Sequence, residues 1–271
     1  MSLHAPHTDF GTQLRAWRAR RRLSQLDMAL EADISQKHLS FLESGRAAPS
    51  RAMVLRLAEG LDVPLRERNA LLMAAGYAPV YPARRLDDAS LAAARAAIEL
   101  LLKGHEPFPA LAVDRHWNMI AANVVAGGLL TALVAPSLRE APVNVVRASL
   151  HPDGLAPHIV NLAQWRAHLL YRLDRQIAAS GDEGLRALRD EMAALPAARQ
   201  GGVDIDPAAE VFVPLILETP QGRLSLFSTI TIFGTPVDVT LAEIAIESFF
   251  PADEATRRLL LSLREGPAIP R

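Results

Sequence analysis

The N-terminal part of the chain repeats short groups of apolar residues at the spacing of amphipathic helices. From residue 11 to residue 77, apolar positions recur on one helical face, and turn-forming residues separate groups of roughly 8 to 12 residues. The apolar positions are Leu14, Trp17, Met28, Leu30, Leu39, Leu42, Val54, Leu57, Ala58, Leu71 and Leu72. The pattern predicts a compact, all-α domain of five helices.

The rest of the chain mixes helical and extended patterns. Helical spacing covers residues 91–103, 158–179 and 182–195, whereas residues 110–121, 211–217 and 224–233 are extended. Residues 218–222 supply turn chemistry for a hairpin, and residues 240–249 favour a further strand. An α+β domain is therefore predicted after the helical one.

A connector separates these two regions. Residues 76–90 contain Pro79, Pro82 and a run of charged residues at 84–88, which is typical of a boundary between domains. The predicted organisation is a helical domain at 1–78, a linker at 79–90 and an α+β domain at 91–271.

Composition narrows the class of protein. The 271 residues are 50% hydrophobic and 22% charged, and cysteine is absent. These values exclude a disordered chain, a disulfide scaffold, thiolate metal sites and a cysteine nucleophile. The N-terminus lacks the basic and apolar segments of a signal peptide, and we expect a cytoplasmic protein.

One uncharged stretch has nearly the length of a membrane helix. Residues 117–138 carry no charge, but they include Asn123, Gly127, Gly128 and Pro136. Flanking arginines on both sides give no orientation bias. We therefore predict part of a buried core and no membrane association.

Charge is divided unevenly along the chain. The net charge of −1 combines +4 over the first 56 residues with −5 over the remainder. Five arginines cluster at positions 15, 18, 20, 21 and 22. Such a density suits contacts with phosphates, and it is equally typical of a solvated helix face.

Residues 24–45 have the spacing of two short helices joined by a turn. Ser24 and Ser35 can each cap a helix, and Gly45 suits a left-handed turn after the second helix. Ile34, Leu39 and Leu42 are expected to hold the second helix against its neighbours. The joint spacing favours a helix-turn-helix over an arbitrary bundle.

The opposite face of the second helix is polar. Gln36, Lys37 and Ser40 lie on it at the start of the helix, where side chains reach base edges in a major groove. Gln25, Arg46 and Arg51 are placed to contact the phosphate backbone. The predicted DNA-binding residues are Gln25, Ser35, Gln36, Lys37, Ser40, Arg46 and Arg51.

Residues 11–78 resemble the helix-turn-helix domain of bacterial XRE-type (lambda-repressor-like) regulators. The matching residues are Leu14-Arg15, Arg18, Ser24-Gln25, Ala29, Ile34-Ser35, Leu39-Ser40, Glu43-Ser44-Gly45 and Pro49-Ser50. The resemblance implies that residues 35–43 enter the major groove of double-stranded DNA, with the protein bound as a homodimer to a two-fold site. Asp27 departs from the pattern, since glutamate is commoner there.

Residues 88–260 resemble the PAS-like ligand-binding domain of MmyB-type transcription regulators. The matching segments lie at 114–123, 151–155, 233–240 and 249–253. This resemblance implies a one-component regulator whose C-terminal domain holds an apolar small molecule such as a fatty acid. No other cofactor and no metal is expected.

Several residues of this domain are candidates for contact with such a ligand. Trp117, Phe212, Phe227 and Phe233 can line an apolar cavity, although each also suits a plain core. His151 and Arg166 can pair with a carboxylate, or lie in a turn and on the surface. Asn123 can contact the ligand or cap the following helix.

The sequence shows no catalytic motif. It contains no nucleophile elbow, P-loop or dinucleotide fingerprint, and His151, His158 and His168 are not spaced as a helical metal pair. We therefore predict that the protein is not an enzyme. The alternative to a ligand sensor is a repressor whose C-terminal domain serves dimerisation or binds a protein partner.

Overall fold

A computed structural model describes residues 9–196, 213–234 and 236–265. Contacts between residues divide the chain into two compact units. Unit 1 contains the described residues up to Arg85, with Ala178–Gly181 and Pro236–Ala242. Unit 2 contains the described parts of Leu86–Ile177, Asp182–Thr235 and Glu243–Arg271.

Five helices form the N-terminal part of unit 1, as the apolar pattern predicts. They are α1 (Phe10–Arg20), α2 (Gln25–Glu31), α3 (Gln36–Glu43), α4 (Arg51–Gly60) and α5 (Leu65–Ala74). Ser24 caps α2 and Ser35 caps α3, each by accepting a hydrogen bond from a backbone N–H in the first turn. Gly45 adopts a φ of 70° after α3, so both predicted caps and the predicted left-handed turn are confirmed.

The core of unit 1 confirms the predicted apolar positions with one exception. Leu14, Leu39, Leu42 and Leu57 are fully buried together with most of the other predicted positions. The prediction for Leu30 is wrong, since its side chain is 71% exposed. The short helix α2 buries Met28 and Ala29 and turns its other face to solvent.

Unit 2 combines helices with one antiparallel sheet. Its strands are β1 (Ala110–Val113), β2 (Met119–Ala122), β3 (Leu215–Thr219), β4 (Gly222–Ile232) and β5 (Ala245–Pro251). Its helices are α6 (Ala92–Gly104), α7 (Val124–Leu133), α8 (Val145–Leu150), α9 (Leu162–Ser180, whose last three residues belong to unit 1), α10 (Glu183–Ala194) and α12 (Glu254–Glu265), whereas α11 (Val239–Ala242) belongs to unit 1. The strand order is β2-β1-β5-β4-β3. This curled sheet with flanking helices is the predicted PAS-like α+β fold.

The sheet differs from the predicted strands in two places. The extended pattern at 110–121 is a hairpin, because β1 and β2 pair antiparallel around a turn at Asp114–Asn118. Residues 240–249 contain the end of α11 before β5 begins at Ala245. The predicted hairpin at 218–222 is confirmed, with Thr219 paired to Gly222, while positions 211 and 212 lie outside the described residues.

Residues 117–138 form short elements and no long helix. They contain β2, the ten-residue helix α7 and a 3₁₀ turn at Pro136–Leu138. Among the described residues, no helix has both the length and the apolar character that a bilayer crossing requires.

One face of the sheet packs against α9 and α10. Leu111 of β1, Leu226 of β4 and Leu217 of β3 point to this face and belong to one buried apolar cluster with residues of α9, including Trp165 and Leu173. Neighbouring residues along a strand point to opposite faces. The register therefore decides which side chains of β4 and β5 enter this core. The face of the sheet that packs against α9 and α10 is called here the α9 face.

The turn after α8 requires glycine at position 154. A Cβ atom there would lie 2.1 Å from the carbonyl oxygen of Ala148. We expect Gly154→Ala to lower the free energy of unfolding by about 1–3 kcal/mol through overpacking. Gly104→Ala is the matched control, since a Cβ at Gly104 meets no atom within 4 Å. Thermal unfolding of both variants tests this, and equal midpoints would contradict it.

Candidate DNA interface and ligand-binding region

A buried carboxylate joins the first three helices of unit 1. Glu43, the last residue of α3, has a fully buried side chain. Arg18 of α1 donates to both of its carboxylate oxygens, at 2.6 Å from Nε and 3.1 Å from Nη2. Gln25 at the start of α2 donates from Nε2 at 2.8 Å. Arg18 also donates to the carbonyl of Leu23, so one network fixes α3 against α1 and α2.

The network keeps Glu43 ionised. Burial on its own raises the pKa of this carboxyl group. The hydrogen bonds from Arg18 and Gln25 and the charges of Arg18 and Arg15 outweigh burial and hold the pKa below its ordinary value. The orientation of α3 therefore depends on the charged side chain of Glu43. The sequence motif includes this residue in Glu43-Ser44-Gly45 but assigns no role to its carboxylate.

The predicted reading residues lie on the exposed side of α3. Gln36 and Lys37, in its first turn, are exposed, and Ser40 one turn later is half-buried. The hydroxyl of Ser35 accepts a hydrogen bond from the backbone N–H of His38. Ser35 is thus a cap that sets where α3 begins, whereas the side chains of Gln36 and Lys37 are exposed to solvent.

Phe41 brings two cations together beside this surface. The ammonium of Lys37 lies 5.7 Å from the centre of the Phe41 ring, and the guanidinium carbon of Arg46 lies 5.2 Å from it. Arg46 also donates to the Ser44 hydroxyl at 3.1 Å. Cations above a ring face are attracted to it, so Phe41 positions one predicted base-contacting residue and one predicted phosphate-contacting residue.

Replacing Phe41 by leucine is expected to weaken DNA binding about 2- to 5-fold for each of the two cation–π contacts that are lost, because each is worth about 0.5–1 kcal/mol at an exposed site. Leucine keeps an apolar side chain but has no ring. Phe41→Tyr keeps the ring and is expected to bind like the wild type. Dissociation constants for a selected operator measure both, and an equal loss in the two variants would contradict the role of the ring.

The remaining DNA candidates are placed differently. Arg51 is exposed at the first position of α4, next to its cap Ser50. Gln25 is half-buried, and its amide nitrogen is engaged by Glu43. Gln25 therefore supports the helix packing directly, whereas the exposed side chain of Arg51 is accessible for a contact with a phosphate.

In unit 2, Trp117 lies in a strained turn. Its φ of 66° is in the left-handed region, which costs a bulky residue about 1–3 kcal/mol. The Asp114 carboxylate holds the turn by accepting from the backbone N–H groups of His116 and Asn118. The turn aims Trp117 into the core, where its indole N–H donates to Gln176 at 2.7 Å.

Both polar atoms of the Asn123 side chain form hydrogen bonds with the backbone. Its side-chain oxygen accepts from the N–H groups of Ala110 and Ala126, and its amide nitrogen donates to the carbonyls of Leu102 and Phe108. It is the N-cap of α7. The capping alternative is therefore confirmed, and no polar atom of Asn123 is left for a ligand.

The two candidate carboxylate partners also have structural roles. Arg166 donates to the carbonyls of Met192, Ala193, Leu195 and Pro196 and so closes the C-terminal end of α10. The ring nitrogen Nδ1 of His151 accepts from the N–H of Asp153 in the turn after α8. The placement of His151 matches its turn alternative, whereas Arg166 is half-buried at the end of α10 and not a free surface arginine.

The aromatic candidates do not share one cavity. Phe227 stacks on Phe250 with ring centres 5.4 Å apart. It lies on the face opposite to Trp117, because its neighbour Leu226 points to the α9 face. Phe233 is half-buried beyond the end of β4, and position 212 lies outside the described residues.

A charged cluster on the α9 face escaped the sequence analysis. Arg172 of α9 donates from Nη1 to the Glu247 carboxylate at 2.7 Å, and the Ser228 hydroxyl donates to the same oxygen at 2.9 Å. Glu247 lies on β5 opposite Ile230 of β4. The signal was a polar stripe at His168, Arg172 and Gln176, spaced four residues apart on an otherwise amphipathic helix.

Two grooves open on the described surface of unit 2. One of about 410 Å³ is bordered by Pro107, Val125, Leu129 and Leu260, with the carboxylate of Glu106 at its edge. The other, of about 300 Å³, lies between α6 and the sheet. None of the predicted ligand candidates among the described residues borders either groove.

Comparisons with known proteins match both parts of the chain. Residues 94–263 match the family described as the MmyB-like transcription regulator ligand binding domain, and residues 9–71 match a helix-turn-helix domain family. No curated protein matches the chain.

One solved structure, described as an RNA-binding light-oxygen-voltage receptor, is 12% identical to the chain with a TM-score of 0.26. The match covers 94% of this chain, which spans 63% of the length of that structure. A similarity of this size does not establish a common fold.

Proposed function

We propose a function from one premise: the chain belongs to the family of MmyB-like transcription regulators. Unit 1 binds double-stranded DNA at a specific operator through α3, and unit 2 binds an apolar small molecule that alters this binding. The protein acts as a homodimer, since helix-turn-helix domains of this kind are used in pairs on two-fold sites. The ligand belongs to a class of apolar small molecules that includes fatty acids and their derivatives.

The exposed start of α3 is the observation that carries the DNA-binding half. Gln36 and Lys37 protrude there, while Glu43 at the other end of the helix is locked to Arg18. A helix held rigidly from behind, with long polar side chains in front, fits a major groove. Arg46 and Arg51 on the neighbouring surface fit contacts with phosphates.

The effect of the ligand on DNA binding follows from linkage. A ligand changes transcription only if it binds one conformational state of the protein more tightly than the other. A tenfold preference shifts the balance between DNA-competent and DNA-incompetent states by the same factor. We propose that the two states differ in the spacing of the two DNA-binding domains of the dimer.

Extraction of the purified protein tests the ligand half. The full chain is denatured, extracted with organic solvent, and the released molecules are identified by mass spectrometry. We expect about one apolar molecule per chain, and its re-addition is expected to raise the melting temperature of the extracted and refolded protein. Release of no apolar compound, with no change of melting temperature on adding lipids, would contradict the sensor function.

A second candidate function is a repressor whose C-terminal domain binds a partner without any ligand. Leu100 and Leu101 of α6 favour it, since they are 71% and 49% exposed. Exposed apolar side chains that lie together mark surfaces for protein contact. A Leu100→Ser and Leu101→Ser double variant that loses self-association while releasing no ligand would support this candidate over the sensor.

A further inference from the structure

The side chain of Arg172 is largely buried, forms an ion pair with Glu247, and has one N–H group without a hydrogen-bond partner among the described residues. Its side chain is 14% exposed, and that of its partner Glu247 is 6% exposed. Within the described part of the chain, Nη2 of Arg172 is buried and has no hydrogen-bond partner. A buried donor without a partner is costly, since it has lost its water and gained nothing in return.

The orientation of Arg172 is fixed from two sides. Its guanidinium lies over the ring of Trp117, 4.5 Å from the ring centre. Glu247 holds Nη1 at 2.7 Å. Because Trp117 is itself held by the strained turn and by Gln176, Nη2 points in a direction that the surrounding fold determines.

The ion pair lies where the α9 face reaches the protein surface. Glu247 is paired across the sheet with Ile230, and Ala245 is paired with Ile232, so both isoleucines share the face of the ion pair. Ile230 is 48% exposed and Ile232 is 66% exposed. An apolar chain can lie along these two side chains with its polar end at Arg172.

The charge of the cluster limits what that polar end can be. Arg172 and Glu247 already balance each other. Burial and the nearby Arg172 lower the pKa of His168, one turn before Arg172, and outweigh the opposite effect of Glu247, so that the neutral form of this ring is favoured. An ionised carboxylate would bring a second negative charge beside Glu247 in a poorly hydrated site, which is unfavourable.

We propose that Nη2 of Arg172 donates a hydrogen bond to an uncharged carbonyl group of the ligand, such as the carbonyl of an acyl ester or amide, and that the apolar chain lies along Ile230 and Ile232. This inference rests on the proposed ligand-binding function and narrows its ligand class. The ligand is an acyl derivative with a neutral head and not an ionised fatty acid.

Binding of two probes that differ only in the head group tests the proposal. Methyl tetradecanoate and sodium tetradecanoate are delivered from cyclodextrin to the full chain at pH 7, and binding is followed through the fluorescence of the tryptophans. We expect the ester to bind at least tenfold more tightly than the acid. Equal binding of the two, tighter binding of the acid, or no binding of the ester would overturn the proposal.

Variants of α9 connect the result to Arg172. Arg172→Met is expected to weaken binding of the ester about 10- to 100-fold, the usual range for a hydrogen bond from a charged donor. Arg175→Met is the matched control, since Arg175 is exposed on the same helix. The double variant Arg172→Met with Glu247→Leu removes both charges and avoids leaving one buried and unpaired. Ester binding that survives in the double variant would sink the role of Arg172.

Extraction separates failure of this inference from failure of the sensor function. If the wild type and Arg172→Met release the same ionisable apolar acid in equal amounts, the carbonyl anchor is wrong and the sensor function stands. If the protein releases nothing and binds neither probe, both are wrong. Release of a neutral acyl compound from the wild type, and of much less from Arg172→Met, supports both.

Discussion

Replacing Glu43 by alanine is expected to remove about 3–5 kcal/mol from the free energy of unfolding of the helical unit, because deleting one partner of a buried ion pair leaves the other charge uncompensated. Arg18 would lose the acceptor of its Nε and Nη2 groups, and Gln25 would lose the acceptor of its amide. The three helices that meet at this carboxylate would open together.

Hydrogen exchange followed by mass spectrometry measures this effect in the full chain. Peptides from α1 and α3 are expected to exchange much faster in Glu43→Ala, while peptides from β4 and β5 keep their wild-type rates. Glu31→Ala is the control, since Glu31 is an exposed carboxylate of the same unit. A similar change in both variants would mean that the buried network has no special role.

The same carboxylate predicts a dependence on pH. The pKa of Glu43 in the folded protein lies below its ordinary value of 4.5. Its stabilising contribution is therefore complete well above pH 4.5 and is lost as the pH falls through the lowered pKa of the folded state. The difference in free energy of unfolding between the wild type and Glu43→Ala is expected to stay constant near neutral pH. It is expected to shrink as the pH falls below 4.5 and through the lowered pKa of Glu43 in the folded protein.

The second large effect concerns DNA recognition. The double variant Gln36→Ala and Lys37→Ala is expected to lower discrimination between operator and random DNA about 10- to 100-fold, since a well-placed contact with a base is worth about 1–3 kcal/mol. Arg46→Ala is expected to weaken binding to both DNAs alike. It is also expected to reduce the slope of the logarithm of the binding constant against the logarithm of the salt concentration by about 1.

These variants are compared on an operator selected from a random DNA library and on unselected DNA, at several salt concentrations. The two roles predict different patterns, because contacts with bases carry sequence information and contacts with phosphates carry none. If the α3 double variant and Arg46→Ala change both dissociation constants by the same factor, the assignment of roles is wrong. Phe41→Leu is expected to combine the two patterns weakly, since its ring contacts both Lys37 and Arg46.

The sequence by itself determined the local structure and the class of the protein. The caps Ser24 and Ser35, Gly45 after α3 and the apolar spacing of unit 1 depend on neighbours within a few residues, so the five helices and the helix-turn-helix were predictable. The turn chemistry between β3 and β4 is equally local, and the predicted hairpin is present.

Only the tertiary structure decided which side chains meet. Arg166 was predicted as a ligand partner because it is a cation, yet it closes the end of α10, a helix that begins seventeen positions later in the chain. Arg172 was overlooked, although the fold places it against Glu247 and Trp117 from two distant segments. Burial and pairing of charges depend on contacts between residues far apart in sequence, and strand register decides the face on which each residue lies. The spacing of apolar and polar residues along a single chain specifies neither the pairing of distant charges nor the register of the strands.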